Sequence, residues 1–100
     1  MTDVRVTLEI TEICQTACIS RDELLEVVAL GIIAPQDDAT DDWRFELEAL
    51  RALRRAQRLR QDLALDWAGI ALAMNLLDEI SRLRTENRRL HQRLDRFLIK

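Results

Sequence analysis

The chain has 100 residues, 48% hydrophobic and 33% charged, with two glycines and one proline. This size allows one small domain with a helical extension, and so few turn-forming residues exclude an all-β fold. No apolar run has the length of a membrane span or the form of a secretory signal, so we expect a cytoplasmic protein without membrane contact.

The charge is divided unevenly along the chain. The net formal charge is -3, but residues 1–42 hold two arginines and ten acids, whereas residues 43–100 hold thirteen basic residues and eight acids. Two solvated surfaces of different composition would account for this division, and so would an acidic N-terminal part that faces a basic partner. The charge alone leaves both interpretations open.

The chain begins with a predicted strand and a short helix. Apolar and polar residues alternate from Val4 to Ile10, which predicts a strand with one buried face. Thr11 is expected to cap a helix over residues 12–18. Cys14 and Cys18 are expected to be small core residues rather than metal ligands, because the chain offers one histidine and no second cysteine pair.

A second helix follows a clear start signal. Ser20 and Glu23 have the spacing of a capping box, in which each side chain satisfies the other residue's free backbone N–H. Gly31 is expected to end the helix. The residues predicted to point inward are Leu24, Val27, Val28 and Leu30.

A two-stranded wing is predicted next. Ile32 and Ile33 begin a strand that Pro35 bounds, and Trp43–Phe45 is expected to return as its partner after a polar loop at residues 36–42. We expect Trp43 to pack in the core rather than to anchor a partner. Two short helices and a wing form a winged helix-turn-helix outline.

A third helix is predicted from Glu46 to about Leu63. Leu47, Leu50 and Leu53 mark its buried side. Four arginines recur at the spacing of a single helix face and should form a basic stripe. They are Arg51, Arg54, Arg55 and Arg58.

The last helix is too long for so small a domain to bury. Asp66 stands at an N-cap position, and no proline interrupts the chain from there to Lys100. A helix of that span would be on the order of 50 Å long. We therefore divide the chain into a winged helix-turn-helix domain at residues 1–65 and a long helix at residues 66–100. Trp67 and Gly69 are expected to serve close packing near its start.

This last helix carries a heptad seam with apolar residues at alternating spacings of four and three. The seam is Leu76, Ile80, Leu83, Asn87, Leu90, Leu94 and Phe97. A lone asparagine in such a seam costs stability and fixes the register of a coiled coil, which favours a homodimer over packing within the chain. Parallel pairing would set Glu79 opposite Arg84 and Glu86 opposite His91, but antiparallel pairing stays open.

Two segments resemble the MerR-type family of regulators. They are "LGIIAP" (residues 30–35) and "WRFELEAL" (residues 43–50), which match a helix stop, an apolar pair and a wing strand of that family. The resemblance implies a mainly α, MerR-like winged helix-turn-helix fold with a small β wing and a long dimerisation helix. The charged positions differ from the family, because the reading helix is "RDELLEVVA" (residues 21–29) and the wing loop is "QDDATDD" (residues 36–42).

The whole chain resembles the chaperone modulator CbpM family more closely. The resemblance is carried by "TEICQTACIS" (residues 11–20) and by residues 58–97, and its most specific part is "LALDWAGIA" (residues 63–71). It implies a protein that binds the J-domain of a DnaJ-like, curved-DNA-binding co-chaperone and inhibits its co-chaperone and DNA-binding activities. By the same resemblance, an acidic module could compete for the basic helix through which a J-domain docks on its DnaK-type chaperone.

The predicted partner contacts are the acids of the reading helix and the wing loop. They are Glu23, Glu26, Asp37, Asp38, Asp41 and Asp42. These carboxylates would repel the phosphate backbone, so we expect no direct binding of nucleic acid. A MerR-like DNA-binding transcription regulator is the alternative, supported by the arginines of the last two helices. No catalytic set, cofactor motif or metal site is apparent, and we predict no enzyme activity.

Overall fold

A computed structural model of the chain describes residues 6–36 and 42–99. Within these ranges it contains two short strands and four helices. In chain order they are β1 (Thr7–Glu9), α1 (Ile10–Ala17), α2 (Arg21–Ala29), β2 (Arg44–Glu46), α3 (Leu47–Leu63) and α4 (Trp67–Leu98). The mainly α class, the small sheet and the long last helix are confirmed.

The sheet pairs different strands from those predicted. β1 runs antiparallel to β2, with Thr7 opposite Glu46, Leu8 opposite Phe45 and Glu9 opposite Arg44. The predicted pairing of Ile32 and Ile33 with the Trp43–Phe45 segment is therefore wrong. β2 leads directly into α3, so the sheet joins the start of the domain to the beginning of that helix.

The end of α2 explains why Ile32 forms no strand. Gly31 has a φ of +79°, and its N–H donates to the carbonyl of Val28 while the N–H of Ile32 donates to that of Val27. This is a Schellman motif, which confirms Gly31 as the helix stop. The backbone N–H of Ile32 is thus already hydrogen-bonded to the helix end and is not available to pair with a neighbouring strand. The N–H of Gln36 donates to the carbonyl of Arg44 in β2 at 2.7 Å.

One helix start differs from the predicted cap and a second agrees with it. α1 begins at Ile10 rather than after Thr11, and the Glu12 side chain accepts a hydrogen bond from the N–H of Glu9 at 2.9 Å. Ser20 caps α2 as expected, with its hydroxyl accepting from the N–H of Glu23 at 3.1 Å. The backbone N–H of Ser20 also helps to lower the pKa of the Glu23 carboxylate, as the reciprocal half of that capping box predicts.

The two cysteines have different environments. Cys14 is half-buried and packs against the core, as expected. Cys18 is exposed and has a φ of +57°, so the prediction of a second small core residue is wrong. Its position is set by the end of α1, where the N–H groups of Cys18 and Ile19 both donate to the carbonyl of Cys14.

The core gathers side chains from every helix. Its buried members are Ile13, Ala17, Leu24, Val27, Ile33, Phe45, Leu53, Ala56, Trp67 and Ile70. Leu53 confirms the predicted buried side of α3, whereas Leu47 is 42% exposed because it stands at the first position of the helix, beyond the core. The buried residues of α4 are Trp67 and Ile70, and Met74 one turn further also packs against the core, so the helix is attached to the domain through its first two turns.

A short elbow joins α3 to α4. Ala64 ends α3 with a φ of +54°, and Asp66 caps α4 by accepting from the N–H of Gly69 at 2.8 Å. A Cβ at Gly69 would lie 3.2 Å from Asp66 Oδ1 and 3.3 Å from Leu65 Cβ. A Cβ would therefore force these neighbours to shift by a few tenths of an ångström, and glycine avoids that shift within the segment that carries the family resemblance.

Beyond its first two turns α4 projects from the domain as an arm. The helix has 32 residues, which corresponds to about 48 Å, and the molecule measures 60 × 45 × 20 Å along its principal axes. We use "the arm" for residues 75–98, which are all exposed. The arm confirms that the domain does not bury the whole helix, and its contact with another surface stays a prediction.

Gly31 and Ala64 both have positive φ, and we expect opposite effects when each is substituted. Gly31→Ala should lower the free energy of unfolding by about 1 kcal/mol, because a Cβ is strained in the left-handed region even where space is open. Ala64→Gly should raise it by up to about 1 kcal/mol, because glycine removes that strain. Urea unfolding followed by circular dichroism at one fixed protein concentration measures both. A loss of stability in Ala64→Gly would contradict the interpretation.

Candidate functional site

Helix α2 carries two of the six predicted partner contacts, Glu23 and Glu26, and they have different positions on the helix. Leu24 and Val27 are fully buried, whereas Glu26 is exposed. Glu23 lies between these sides and is half-buried. The two acids predicted as neighbours in one contact surface therefore have different surroundings.

Glu23 joins α2 to both of the following helices. Its Oε2 atom accepts a hydrogen bond from Arg60 Nη1 at 2.9 Å and one from Trp67 Nε1 at 3.2 Å. The Arg60 guanidinium also lies over the Trp67 ring, with Cζ 4.5 Å from the ring centroid. We call Glu23, Arg60 and Trp67 the clamp, because together they hold α2, α3 and α4 at one point.

The clamp combines one carboxylate with two side chains that donate hydrogen bonds to it. The hydrogen bond from Trp67, together with the hydrogen bond and charge of Arg60, lowers the pKa of Glu23 below its ordinary value, although partial burial opposes the shift. The carboxylate therefore stays ionised at neutral pH. It also satisfies the indole N–H of Trp67, a residue only 3% exposed, which would otherwise be left without an acceptor.

Sequence patterns do not indicate Arg60 or Trp67 as partners of Glu23. The residues are 37 and 44 positions away from it, so no local spacing connects them. Ser20 and Glu23 do have capping-box spacing, and this local pattern predicts a different use of the carboxylate. Whether Glu23 also contacts a partner stays a prediction.

The wing loop is only partly within the described residues. Asp37, Asp38 and Asp41 lie outside them, and Asp42 is exposed. The partner contacts predicted for these four aspartates stay predictions. Trp43 is half-buried and packs edge-on against Phe45, with ring centroids 6.1 Å apart, as expected for a core contact.

The basic stripe of α3 contributes to contacts within the chain. Arg54 Nη2 donates to the carbonyl of Thr16 on α1 at 3.4 Å, and Arg55 pairs with Asp78 on α4 at 3.6 Å. Arg51 pairs within α3 itself. These exposed pairs add little stability, but they place Arg54 and Arg55 beside neighbouring helices.

The seven seam residues are all exposed along the arm. Their apolar members range from 44% exposed at Ile80 to 74% exposed at Phe97, and Asn87 lies among them. An open groove of about 530 Å³ follows the seam, with Leu83 and Leu90 in its lining. The alternative of a seam packed within its own chain is therefore wrong, and pairing with a second chain stays a prediction.

The glutamates beside the seam pair within the arm. Arg82 contacts Glu79 at 2.6 Å and Glu86 at 3.1 Å, one helical turn to either side. These are the glutamates that parallel pairing would set opposite Arg84 and His91. Because exposed ion pairs of this kind exchange at little cost, the contacts of Arg82 leave the direction of pairing open.

Two kinds of feature are absent from residues 6–36 and 42–99. None of the helices there combines the length and apolar character needed to cross a membrane. No group of three or more histidine, cysteine, aspartate or glutamate side chains is placed there to hold a metal ion. Cys14 and Cys18 are free thiols.

The arrangement of elements defines a MerR-like helix-turn-helix protein, and comparisons with known proteins agree. The family model described as MerR HTH family regulatory protein matches residues 8–92. Proteins named chaperone modulatory protein CbpM from Salmonella paratyphi A, Salmonella newport and Salmonella heidelberg are each 51% identical over 98 residues. The alignments cover 98% of this chain and 97% of each relative. The chain therefore belongs to the CbpM family of chaperone modulatory proteins.

The clamp predicts a pH-dependent effect of Glu23→Gln. At pH 7 the variant should unfold with about 1 kcal/mol less free energy, because a charge-assisted hydrogen bond at a partly exposed site becomes a neutral one. The folded pKa of Glu23 is lowered, so its contribution is complete above the unfolded pKa and is lost as the pH falls through the folded value. The difference between variant and wild type should therefore shrink in acid.

Urea unfolding at neutral and acidic pH measures this effect. Glu26→Gln is the matched control, since Glu26 is exposed and forms no ion pair or side-chain hydrogen bond within the described residues. It should leave stability unchanged at both pH values. A destabilisation by Glu23→Gln that is equal at every pH would contradict a role for the ionised carboxylate.

Proposed function

We propose that this chain is a cytoplasmic chaperone modulator that binds the J-domain of a DnaJ-like, curved-DNA-binding co-chaperone. Binding inhibits the co-chaperone and DNA-binding activities of that partner. The family membership supports a chaperone-modulating, non-catalytic role, since the relatives are named chaperone modulatory proteins. The J-domain as the target is implied by the family resemblance of the sequence.

The observation that carries the proposal is the charge on the outward side of α2. A DNA-reading helix needs basic or amide side chains toward the groove and the phosphates. In α2 the exposed side carries Asp22 and Glu26, and Arg21 is the only basic residue of the helix. Such a surface repels a polyanion and attracts a cationic protein surface, which favours a J-domain over DNA.

Inhibition follows from competition for one basic helix. A J-domain docks on its DnaK-type chaperone through this helix. If the acidic module covers the helix, the J-domain cannot bind this chain and the DnaK-type chaperone at the same time. Opposite charges accelerate the encounter, whereas a few buried apolar contacts set the lifetime of the complex. The contacts proposed here are Glu26 and the wing-loop acids Asp37, Asp38, Asp41 and Asp42, with Glu23 acting behind them through the clamp.

The arm is proposed to form a homodimeric coiled coil. Its seam exposes several large apolar side chains, and burying each contributes about 1.5–3 kcal/mol. Asn87 interrupts the apolar seam and would fix its register by pairing with a polar group of the second chain. A dimer joined through the arms would carry two α2 surfaces, one from each chain.

The proposed function makes a first prediction about the J-domain partner. Calorimetric titration with an isolated J-domain should give a saturable complex that weakens as salt rises, because charge complementarity contributes to it. Adding the DnaK-type chaperone should displace the J-domain. A gel shift with duplex DNA at low salt is the matching control and should show no tight complex. DNA binding with a steep salt dependence and no J-domain binding would favour the transcription regulator instead.

The second prediction concerns the dimer. Leu83→Asp places a charge in the seam and should convert the protein to monomers in sedimentation equilibrium, because that side chain cannot be buried unpaired. Thr85→Asp is the matched control, since Thr85 is exposed on the side of the arm away from the seam. It should leave the mass unchanged. A dimeric Leu83→Asp protein would contradict pairing through this seam.

A further inference from the structure

The outward side of α2 forms a continuous exposed stripe. Residues at spacings of three and four share one helix face, and four exposed residues of α2 have this spacing. They are Asp22, Leu25, Glu26 and Ala29. We call them the α2 stripe, and it places an apolar side chain between two carboxylates.

Leu25 is the apolar centre of the stripe. Its side chain is 41% exposed, whereas its neighbours Leu24 and Val27 are fully buried. The core of the domain therefore does not need Leu25. Because α2 already has a complete buried face, an exposed leucine on its other side can contribute to a partner interface. It does so by burying its exposed apolar area against the partner.

The two carboxylates of the stripe outnumber the one basic residue of α2, the exposed Arg21 beside Asp22. Asp22 and Glu26 are four residues apart, a spacing at which like charges destabilise a helix slightly. Within the described residues neither forms an ion pair, in contrast to Glu23, which pairs with Arg60 at 2.9 Å. The stripe thus has negative charge that a cationic surface could neutralise.

The stripe is held on a rigid base. Ser20 caps α2, Gly31 ends it, and the clamp fixes its inner side to α3 and α4 through Glu23. A helix that is already ordered and fixed loses little conformational entropy when a partner binds. The clamp therefore supports the stripe without being part of its exposed surface.

We propose that the α2 stripe is the docking surface for a cationic amphipathic helix of the J-domain. Leu25 fills an apolar notch between lysine or arginine side chains of that helix, and Asp22 and Glu26 flank it as their partners. This inference rests on the proposed function and names the surface that performs it. It differs from a purely acidic contact in making one leucine the main determinant of the lifetime of the complex.

Matched pairs of variants of the full-length chain test the stripe. Leu25→Ala is compared with Leu47→Ala, because Leu47 is equally exposed at 42% and lies at the start of α3. Glu26→Lys is compared with Glu48→Lys, an exposed glutamate of α3 whose reversal makes the same change in net charge. The probe is the isolated J-domain, with binding measured by surface plasmon resonance and folding checked by circular dichroism.

The stripe predicts a different kinetic change for each variant. Leu25→Ala should weaken binding about tenfold, mainly through faster dissociation, as for an interface anchor. Glu26→Lys should weaken it about fivefold or more through slower association, and this effect should fade at high salt. Leu47→Ala and Glu48→Lys should bind like the wild type.

Each other outcome overturns the inference in a distinguishable way. Wild-type affinity in both Leu25→Ala and Glu26→Lys would exclude the stripe while leaving J-domain binding intact. Equal weakening in the α3 controls would show that net charge or general stability acts, rather than this surface. No binding by the wild-type chain would overturn the proposed function and the docking surface together.

Discussion

The burial of Trp67 is the constraint on which the rest of the structure depends. A long helix is joined to a small domain through its first two turns, and Trp67 and Ile70 are its buried residues. A buried indole needs an acceptor for its N–H, and Glu23 supplies it from α2. The residue that secures the arm is thus also the residue that fixes the helix proposed to meet the partner.

This shared anchor lets one small core support two exposed surfaces. The α2 stripe lies outside the core on one helix, and the seam lies along another helix that leaves the core after its first turns. Neither surface contributes to the packing of a single chain. The apolar residues exposed in both are therefore available for contacts with other molecules, and such surfaces typically mark interaction sites.

A helix-turn-helix framework does not by itself define a DNA-binding protein. The framework is determined by apolar spacing, caps and turns, whereas the partner is determined by the outward side chains. Here the fold is MerR-like, but the outward side of α2 carries acidic residues where a DNA-reading helix needs basic ones. Because phosphate contacts supply much of the affinity for DNA, a few charge changes suffice to disfavour that ligand.

Local patterns predicted most of the fold. Helix periodicity, the Ser20 and Asp66 caps and the Gly31 stop depend on residues close in sequence, and all are confirmed. The strand pairing could not be predicted, because Ile32 and Ile33 suit a strand by composition while the end of α2 uses the backbone donor of Ile32.

The candidate site was predicted only in part, for the same reason. Its acidic character is evident in the sequence, but the separation of Glu23 from Glu26 depends on Arg60 and Trp67, which are distant in sequence. The outward position of Leu25 follows from the inward spacing of its neighbours, yet that spacing does not indicate which exposed residue would meet a partner. Long-range contacts decide this selection.

The geometry of the elbow has a mechanical consequence for the arm. The last residue of α4 that packs against the core is Met74, so the tip at Leu98 lies about 36 Å beyond it. The elbow lies at the other end of the 32-residue helix, about 48 Å from that tip, so a rotation of about 10° there would move the tip by roughly 8 Å, more than one helical turn. The hydrogen bond of Trp67 and the Asp66 cap therefore lie at the point about which the arm would rotate. Ångström-scale adjustments there would move the tip of the arm by as much as a change in coiled-coil register.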